Sequence, residues 1–200
     1  MTDARPTLRS LLALPDTPAP LSRSALVLID CQNTYREGIM QLEGIEPALD
    51  ECAKLLQRAR DAGATVIHIQ HDAGPGTPYD VRVPIGAIAD VVTPAPGETV
   101  ITKAYPSSFE QTNLDVELKK LGLTDLVLAG FMTHVCVNST ARAAFNRGYR
   151  ATVVGNATAT RALENPAGGV ITAQTLHDGA LTALSDIFAI VVPSAEKIPT

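Results

Sequence analysis

Three residues of this chain have the chemistry needed to make a nucleophile: Cys136, Asp30 and Lys103. Cys136 follows the apolar run DLVLAG, residues 125–130, at the point where helical spacing begins. Free N–H groups at the start of a helix favour a thiolate, so we expect the pKa of this thiol to be lowered. A small buried residue that caps a core helix fits the same position. Position alone leaves both interpretations open.

The strands and helices that position these residues can be predicted from the apolar pattern. Short β-branched apolar runs recur along the chain, and most of them are separated by segments with helical spacing. Continuous apolar runs are typical of strands that are covered on both faces, and therefore of a parallel sheet. We expect a three-layer α/β domain. The predicted strands are residues 25–30, 64–70, 99–102, 125–130, 151–155 and 187–192, and the predicted helices are 46–62, 112–121, 135–147 and 168–183.

The carboxyl ends of these strands are where a parallel sheet binds its ligands. Asp30 ends the first predicted strand, Lys103 follows the third, and Cys136 comes after the fourth. Taken singly, each residue has a structural explanation: Asp30 could cap a turn, Lys103 could be solvated, and Cys136 could pack in the core. Together, the carboxylate can accept the thiol proton and the ammonium can hold the ion pair, while backbone N–H groups stabilise an oxyanion. The set predicts nucleophilic acyl transfer.

Composition restricts the partners and the location of the protein. The chain has 200 residues, 46% of them hydrophobic, and a net charge of −5. No basic cluster is present, which argues against nucleic acid and membrane surfaces and favours a small-molecule substrate. Three cysteines at irregular spacing match neither a disulfide framework nor a zinc site. With no signal peptide or transmembrane run, we expect a cytoplasmic protein.

Two segments lie outside the regular pattern. Residues 1–21 are interpreted as an N-terminal arm, with a short helix near residues 7–13 and the stretch PDTPAP at 15–20, and residues 22–200 as the main domain. Residues 72–98 form a Gly- and Pro-rich connection that is too long for an ordinary βα loop, and such loops are usually functional. Both segments are candidate contact surfaces with a neighbouring subunit.

Three ordered blocks of this sequence resemble the signatures of the isochorismatase-like cysteine hydrolases. They are DCQNTY at 30–35, KAYPSSFEQTNL at 103–114 and GFMTHVCVNSTARAAFNRGY at 130–149, and the resemblance covers nearly all of residues 22–192. It implies a Rossmann-like sandwich with a six-stranded, mostly parallel sheet and an Asp30, Lys103 and Cys136 triad. It also implies a non-proline cis peptide before Met132, an oxyanion hole made by the backbone N–H groups of Met132 and Cys136, and a homo-oligomer, either a dimer or a tetramer.

The resemblance implies a metal-independent cysteine amidohydrolase that needs no cofactor. It would cleave a C–N bond of a small amide, ureide or imide through a thioester on Cys136. Nicotinamidase-like members carry an Asp-x-His pair with further metal-binding histidines. The corresponding segment here is HIQHDAGPGTPYD at 68–80, which contains His68 and His71 but no third histidine nearby. Since a metal needs three or four converging ligands, we expect no metal, and we expect His68 to face the core.

Several polar and aromatic residues lie close to the triad along the chain and are candidates for substrate binding. Turn capping or packing is the structural alternative for those near Asp30 and Lys103, whereas His71 could instead bond the backbone and His134 could cap the helix. These candidates are Gln32, Tyr35, His71, Ser108, Phe109, Thr133 and His134.

Other functions remain as alternatives. Isochorismatase-type enol-ether hydrolysis relies on the aspartate, here Asp30, and does not use a nucleophilic cysteine, so the presence of Cys136 argues against it. A non-catalytic small-ligand binding or redox-sensing protein would keep Cys136 as an oxidisable thiol, but a sensor has no need of Asp30 and Lys103. Dinucleotide binding is disfavoured because no G-x-G-x-x-G follows the first strand.

Overall fold

A six-stranded parallel sheet forms the centre of the domain. The computed structural model describes residues 5–200. The strands are β1 (Ser24–Ile29), β2 (Thr65–His71), β3 (Thr99–Lys103), β4 (Asp125–Phe131), β5 (Arg150–Ala159), β6 (Leu163–Glu164), β7 (Val170–Ile171) and β8 (Ala189–Val192). The order in the sheet is β3-β2-β1-β4-β5-β8, with every neighbouring pair parallel, and β6 pairs with β7 as a separate antiparallel ribbon.

Helices cover both faces of this sheet. They are α1 (Leu8–Leu11), α2 (Ile45–Asp61), α3 (Leu114–Lys120), α4 (Asn138–Asn146) and α5 (Ala173–Ile187). The buried stripe of α2 belongs to the core cluster on one face, and Leu118 of α3, Ala141 of α4 and Leu184 of α5 belong to the cluster on the other. The three-layer α/β fold and the six-stranded parallel sheet predicted from the sequence are therefore confirmed.

The last third of the chain differs in detail from the predicted pattern. The helix predicted at 168–183 runs over Ala173–Ile187, because Val170 and Ile171 pair with β6 and Thr172 caps the helix by accepting a hydrogen bond from Thr175 N–H. The strand predicted at 151–155 continues to Ala159, since a register shift opposite β4 lets β5 resume pairing beyond the irregularity. The spacing of apolar residues along the chain does not reveal where the pairing of two strands shifts in register.

The segment before β1 packs on the carboxyl-terminal part of the same chain. The Leu8 N–H donates to Asp186 over 2.9 Å, and the Leu21 N–H donates to the Pro199 carbonyl over 2.8 Å. Residues 1–4 lie outside the described part. The division into an arm and a domain, and a contact of the arm with another subunit, stay predictions.

In the described part of the chain, no helix combines the length and the apolar character needed to span a bilayer.

The long connection at 72–98 folds back onto the segment after β1. It contains two short 3₁₀ turns, Pro84–Gly86 and Asp90–Val92. The Thr34 hydroxyl donates to the Ile85 carbonyl over 3.0 Å, and Gln32 forms a β-bridge with Ile88. The loop is thus anchored beside the carboxyl edge of the sheet.

Candidate active site

Asp30 is the first residue after the central strand β1, and its side chain is completely buried. Its N–H still bonds the Ile69 carbonyl of β2 over 3.0 Å, so the carboxylate stands at the carboxyl edge of the sheet. The backbone of Asp30 is in the left-handed region, with φ of 51°. Aspartate tolerates this conformation better than most residues, and non-glycine residues held there often lie at functional sites.

Gly130 lets the end of β4 approach β1 closely. It pairs with Ile29 in the sheet and has φ of 113°. A Cβ at this position would collide with the Ile29 backbone carbonyl, so a larger residue cannot occupy it without moving one strand. The close approach brings the turn that follows β4 next to Asp30.

Cys136 lies in that turn and is 5% exposed. The Phe131–Met132 peptide is cis, as expected, and residues Thr133–Val137 form a π-helical turn in which the Val137 N–H bonds the Met132 carbonyl over 3.2 Å. The regular helix α4 begins only at Asn138, so Cys136 is not at the start of an α-helix as the spacing had predicted. The oxyanion hole at the N–H groups of Met132 and Cys136 stays a prediction.

Lys103 connects the other two groups. It is the last residue of β3, and β2 lies between β3 and β1, so its long side chain reaches across the end of β2. Its Nζ lies 2.7 Å from Oδ2 of Asp30 and 3.4 Å from Sγ of Cys136. The two partners are buried, and Lys103 itself is 3% exposed. The three residues predicted to act together from three separate strands therefore meet at one point.

His71 is a fourth member of this cluster. It ends β2, pairs with Lys103 in the sheet, and its Nδ1 lies 3.1 Å from the Lys103 Nζ. An ammonium group only donates, so Nδ1 accepts and the imidazole is neutral, with its proton on Nε2. Burial and the Lys103 charge lower the pKa of His71 to about 4, which agrees with this assignment. His71 therefore orients the ammonium, a contact that its sequence position did not reveal.

The protonation state of the thiol differs from the expectation. Burial, and then the charge of Asp30, raise the pKa of Cys136 to about 12, although Lys103 acts in the opposite direction. Burial also raises the pKa of Asp30, again opposed by Lys103. The expected lowering of the thiol pKa is therefore wrong, because desolvation outweighs the effect of one nearby ammonium group. The resting cluster holds a neutral thiol beside an Asp30 and Lys103 ion pair.

Two substrate-binding candidates after β1 make internal contacts. The Gln32 side-chain amide donates to the Gly86 carbonyl over 2.7 Å and accepts from the His71 N–H over 2.8 Å, so it ties the long loop to β2. The Tyr35 ring is 1% exposed and packs edge-on against Tyr79, with ring centroids 5.8 Å apart. A substrate-binding role for Gln32 and Tyr35 stays a prediction.

The two candidates after β3 contact the core layer. The hydroxyl oxygens of Ser108 and Thr140 lie 2.9 Å apart, which anchors the loop on α4. The Phe109 ring stacks on Tyr149 at 5.6 Å and belongs to the core cluster of that face. These contacts explain why both residue types occur here, and binding of a substrate by either side chain stays a prediction.

The candidates inside the π-helical turn are held by neighbouring elements. The Thr133 hydroxyl lies 3.0 Å from Nδ1 of His177 on α5, and Nδ1 of His134 lies 2.5 Å from the hydroxyl of Thr160. Both side chains fix the turn that carries Cys136.

Two residues near the cluster were not found from the sequence. Tyr79, in the long loop, lies edge-on to the His71 ring with centroids 4.9 Å apart. Arg161 follows β5 and is close enough for its charge to influence Tyr79 and His134. Neither belongs to a recognisable motif, since each reaches the site through the tertiary fold.

The histidine that was expected in the core has a structural partner. His68 is 1% exposed, and its Nε2 lies 2.9 Å from a carboxylate oxygen of Glu98. Within residues 5–200, no cluster of three or more His, Cys, Asp or Glu side chains is arranged to hold a metal ion.

Fold and site define a class of protein: a three-layer α/β domain with a thiol, a carboxylate and an ammonium group at the carboxyl edge of a parallel sheet. The chain belongs to the isochorismatase family, since the model of the isochorismatase domain matches residues 24–196.

Known proteins of this family resemble the chain over most of its length. The secreted isochorismatase effector Isc1 of Verticillium dahliae is 37% identical over 189 residues, covering 94% of this chain and 97% of that protein. The ureidoacrylate amidohydrolase RutB of Methylorubrum extorquens is 30% identical, covering 74% and 75%. The crystal structure of an isochorismatase from Pseudomonas putida KT2440 is 36% identical, with a TM-score of 0.93 over 98% and 100% of the two chains.

These relatives do not test the location or the assembly of the chain. One of them is described as secreted, which differs from the cytoplasmic location expected here. Cytoplasmic location, a homo-oligomeric state and a small-molecule partner stay predictions.

Proposed function

We propose that this hydrolase cleaves a C–N bond of a small amide, ureide or imide, with Cys136 as the nucleophile. One observation carries the proposal: the Lys103 ammonium lies 2.7 Å from Asp30 and 3.4 Å from the Cys136 sulfur in a site from which water is nearly excluded. A thiol, a base and a charge that stabilises the thiolate are the groups that covalent acyl transfer needs.

The reaction would proceed in two halves. Asp30 accepts the proton of Cys136 while the sulfur attacks the substrate carbonyl, and the oxyanion that forms would be stabilised by the backbone N–H groups of Met132 and Cys136. The C–N bond breaks as Asp30 returns the proton to the leaving nitrogen, which leaves a thioester. Asp30 then takes a proton from water, whose oxygen attacks the thioester and releases the acid, and Asp30 returns the proton to the departing sulfur.

The raised pKa of the thiol determines the order of events. Because the pKa of Cys136 is raised to about 12, little preformed thiolate is available at pH 7. Proton transfer to Asp30 would therefore accompany the attack on the carbonyl. Lys103 stabilises the negative charge both before the transfer, on Asp30, and after it, on sulfur.

The relatives support this class of reaction. The name of the relative RutB states that it is a ureidoacrylate amidohydrolase, so the family includes amide-cleaving members at 30% identity to this chain. The proposed scheme uses only protein groups, and we propose that the enzyme is independent of metal ions.

Enol-ether hydrolysis is the second candidate, because two similar family members are named as isochorismatases. In that reaction, Asp30 would donate a proton and the thiol would have no role. The two candidates therefore differ in their dependence on Cys136.

The test is a turnover screen of amides, ureides, imides and isochorismate with wild type, Cys136→Ala and Cys52→Ala. Cys52 is the matched control, since it is a free thiol that is also buried, away from Lys103. We expect Cys136→Ala to lower kcat/KM for the C–N substrate by at least about 10⁴-fold. We expect Cys52→Ala to stay within about threefold of wild type, because its thiol contacts only core groups.

Mass spectrometry of the enzyme with slow substrates should find an acyl adduct on Cys136. Turnover of isochorismate that survives Cys136→Ala would favour the second candidate. No turnover of any compound by wild type, with ligand binding retained in Asp30→Asn, would overturn both in favour of a binding protein.

A further inference from the structure

The start of the π-helical turn that carries Cys136 depends on one shared carbonyl group. The Met132 carbonyl accepts from the Val135 N–H over 3.1 Å and from the Val137 N–H over 3.2 Å. Turns closed by such i→i+5 bonds are rare in proteins and occur mostly as single turns at functional sites. A side chain from another element that bonds the first residue of this turn is therefore well placed to fix its position.

His177 of α5 makes such a bond with Thr133, the first residue of the turn. Nδ1 of His177 lies 3.0 Å from the Thr133 hydroxyl oxygen. The Thr133 side chain is fully buried, and within residues 5–200 this is the one hydrogen bond of either side chain. Because a buried hydroxyl that loses its partner is unfavourable, we expect the turn to shift when the bond is removed.

The helix that carries His177 is a fixed support for this bond. Leu184 of α5 is fully buried in the core cluster on that face of the sheet. The side-chain amide of Asn138, directly after the turn, donates to the Ala180 carbonyl of α5 over 3.4 Å. His177 thus connects a core helix with the residue three positions before Cys136.

The imidazole of His177 is neutral at pH 7. Burial lowers its pKa, and the charge of the neighbouring Asp178 acts in the opposite direction. Nε2 forms no hydrogen bond with the part of the chain that the structure describes, so the contact of the ring with the turn is made by Nδ1. A neutral imidazole nitrogen either donates or accepts, and a hydroxyl can do both, so Nδ1 can bond Thr133 in either tautomer.

We propose that His177 is a positioning residue for the nucleophile and acts through Thr133. The bond holds the π-helical turn so that the Cys136 sulfur stays 3.4 Å from the Lys103 ammonium. A displacement of the turn by about 1 Å is enough to weaken catalysis strongly, since the reacting groups must be held in a near-attack geometry. The inference rests on the proposed function and concerns a side chain outside the reacting cluster.

The experiment separates the hydrogen bond from the shape of the side chain. His177→Phe keeps a ring and removes Nδ1, whereas His177→Asn removes the ring and keeps a polar atom at the δ position. Thr133→Val removes the hydroxyl from the other side of the bond. Gln174→Ala is the matched control, since Gln174 is an exposed residue of α5 whose side chain bonds Asp178 on the same helix.

The kinetic readout is kcat and KM on the best C–N substrate. We expect His177→Phe to lower kcat by about 10- to 100-fold and to leave KM within about threefold, because the bond fixes the nucleophile and not the substrate. His177→Asn should keep at least about a third of the wild-type kcat, and Gln174→Ala should match wild type. Thr133→Val combined with His177→Phe should lower kcat no further than the stronger single variant, since both remove the same bond.

Hydrogen exchange tests the bond without any turnover. The Val137 amide, which is bonded to the Met132 carbonyl, should exchange at least about tenfold faster in His177→Phe than in wild type. His177→Asn and Gln174→Ala should exchange at the wild-type rate. Thermal unfolding shows whether each variant is folded.

The outcomes separate this inference from the proposed function. Unchanged exchange or unchanged kcat in His177→Phe would overturn the inference, as would a loss of kcat that His177→Asn shares equally. A rise in KM with kcat unchanged would do so as well, because it would place His177 at the substrate. Faster exchange in His177→Phe, with no turnover of any C–N substrate by wild type, would reject the proposed function and support the hold of His177 on the turn.

Discussion

Cys136 and the Cys31–Cys52 pair are buried to nearly the same degree, with exposed fractions of 5%, 1% and 0%. Their neighbours differ. The sulfur of Cys136 lies 3.4 Å from an ammonium nitrogen that also contacts a carboxylate. The sulfur of Cys31 lies 4.0 Å from that of Cys52, and Cys52 Sγ lies 3.3 Å from the Ala157 carbonyl oxygen.

The comparison separates the effect of burial from that of charge. Burial raises the pKa of Cys136, and for Cys31 the Cys52 contact together with burial raises the pKa well above its ordinary value. Cys136 and Cys31 are therefore both neutral thiols. Only Cys136 lies beside a carboxylate and an ammonium group. The reactivity that we propose for it would therefore come from neighbouring groups and not from a low thiol pKa.

Removal of the ammonium group should make the two thiol sites alike. In Lys103→Met, the buried Asp30 loses its counter-charge, so the pKa of its carboxyl rises further and the group becomes protonated. A protonated Asp30 cannot accept the thiol proton. We expect kcat/KM on the best C–N substrate to fall by about 10³-fold, the range of general-base effects.

Lys120→Met is the control for this variant, since Lys120 is an exposed lysine that pairs with Glu117 on α3. It should keep wild-type activity. Circular dichroism and thermal unfolding show whether Lys103→Met is folded, and Lys103→Gln is a second variant with a polar side chain. A folded Lys103 variant with more than a tenth of wild-type activity would contradict the role assigned to the ammonium.

Alkylation of the native protein tests the comparison directly. With iodoacetamide and peptide mass spectrometry, we expect Cys136 to be labelled at least about tenfold faster than Cys31 and Cys52, which have no adjacent cation. Because the pKa of Cys136 is about 12, its labelling rate should rise about tenfold per pH unit between pH 7 and 10. A plateau near pH 7 would mean that the thiolate already exists at rest.

The smallest effect is expected at His71. In His71→Gln, the amide oxygen can still accept from Lys103, so activity at pH 7 should fall by less than about tenfold. The larger change should be in stability against pH, measured as urea unfolding midpoints at pH 7 and pH 5.

The sign of that change follows from the two pKa values of His71. The pKa is about 4 in the folded protein and 6.5 when unperturbed. Above pH 6.5 the imidazole is neutral in both states, whereas between pH 6.5 and 4 mainly the unfolded chain binds the proton, so folding weakens as pH falls. The variant should therefore lose less stability than wild type between pH 7 and 5. An identical loss would show that His71 is not held neutral.

Much of the fold could be predicted because its signals are local. The apolar run that ends at Ile29 and the stripe of α2 are visible in single windows of sequence, and both elements form within about one residue of the predicted ends. The helix α5 could not be placed as well. Val170 and Ile171 have the apolar spacing of a helix but pair with β6, a choice that depends on a contact with another segment.

The candidate site also has a part that could be predicted from the sequence and a part that could not. Parallel strands place their carboxyl ends at one edge, which is why Asp30, Lys103 and Cys136 could be grouped before their distances were known. The contact of His71 with Lys103 and the positions of Tyr79 and Arg161 had no local signal. Each depends on where a loop or a strand end lies in space.

The sequence by itself determined the order of the elements and the residue types at the strand ends, because periodicity and chain direction are properties of neighbouring residues. Only the tertiary structure decided the protonation state of Cys136 and the position of Arg161 at this edge of the sheet. Desolvation and Coulomb interactions depend on distances of a few ångströms between residues far apart in the chain, and folding alone sets those distances.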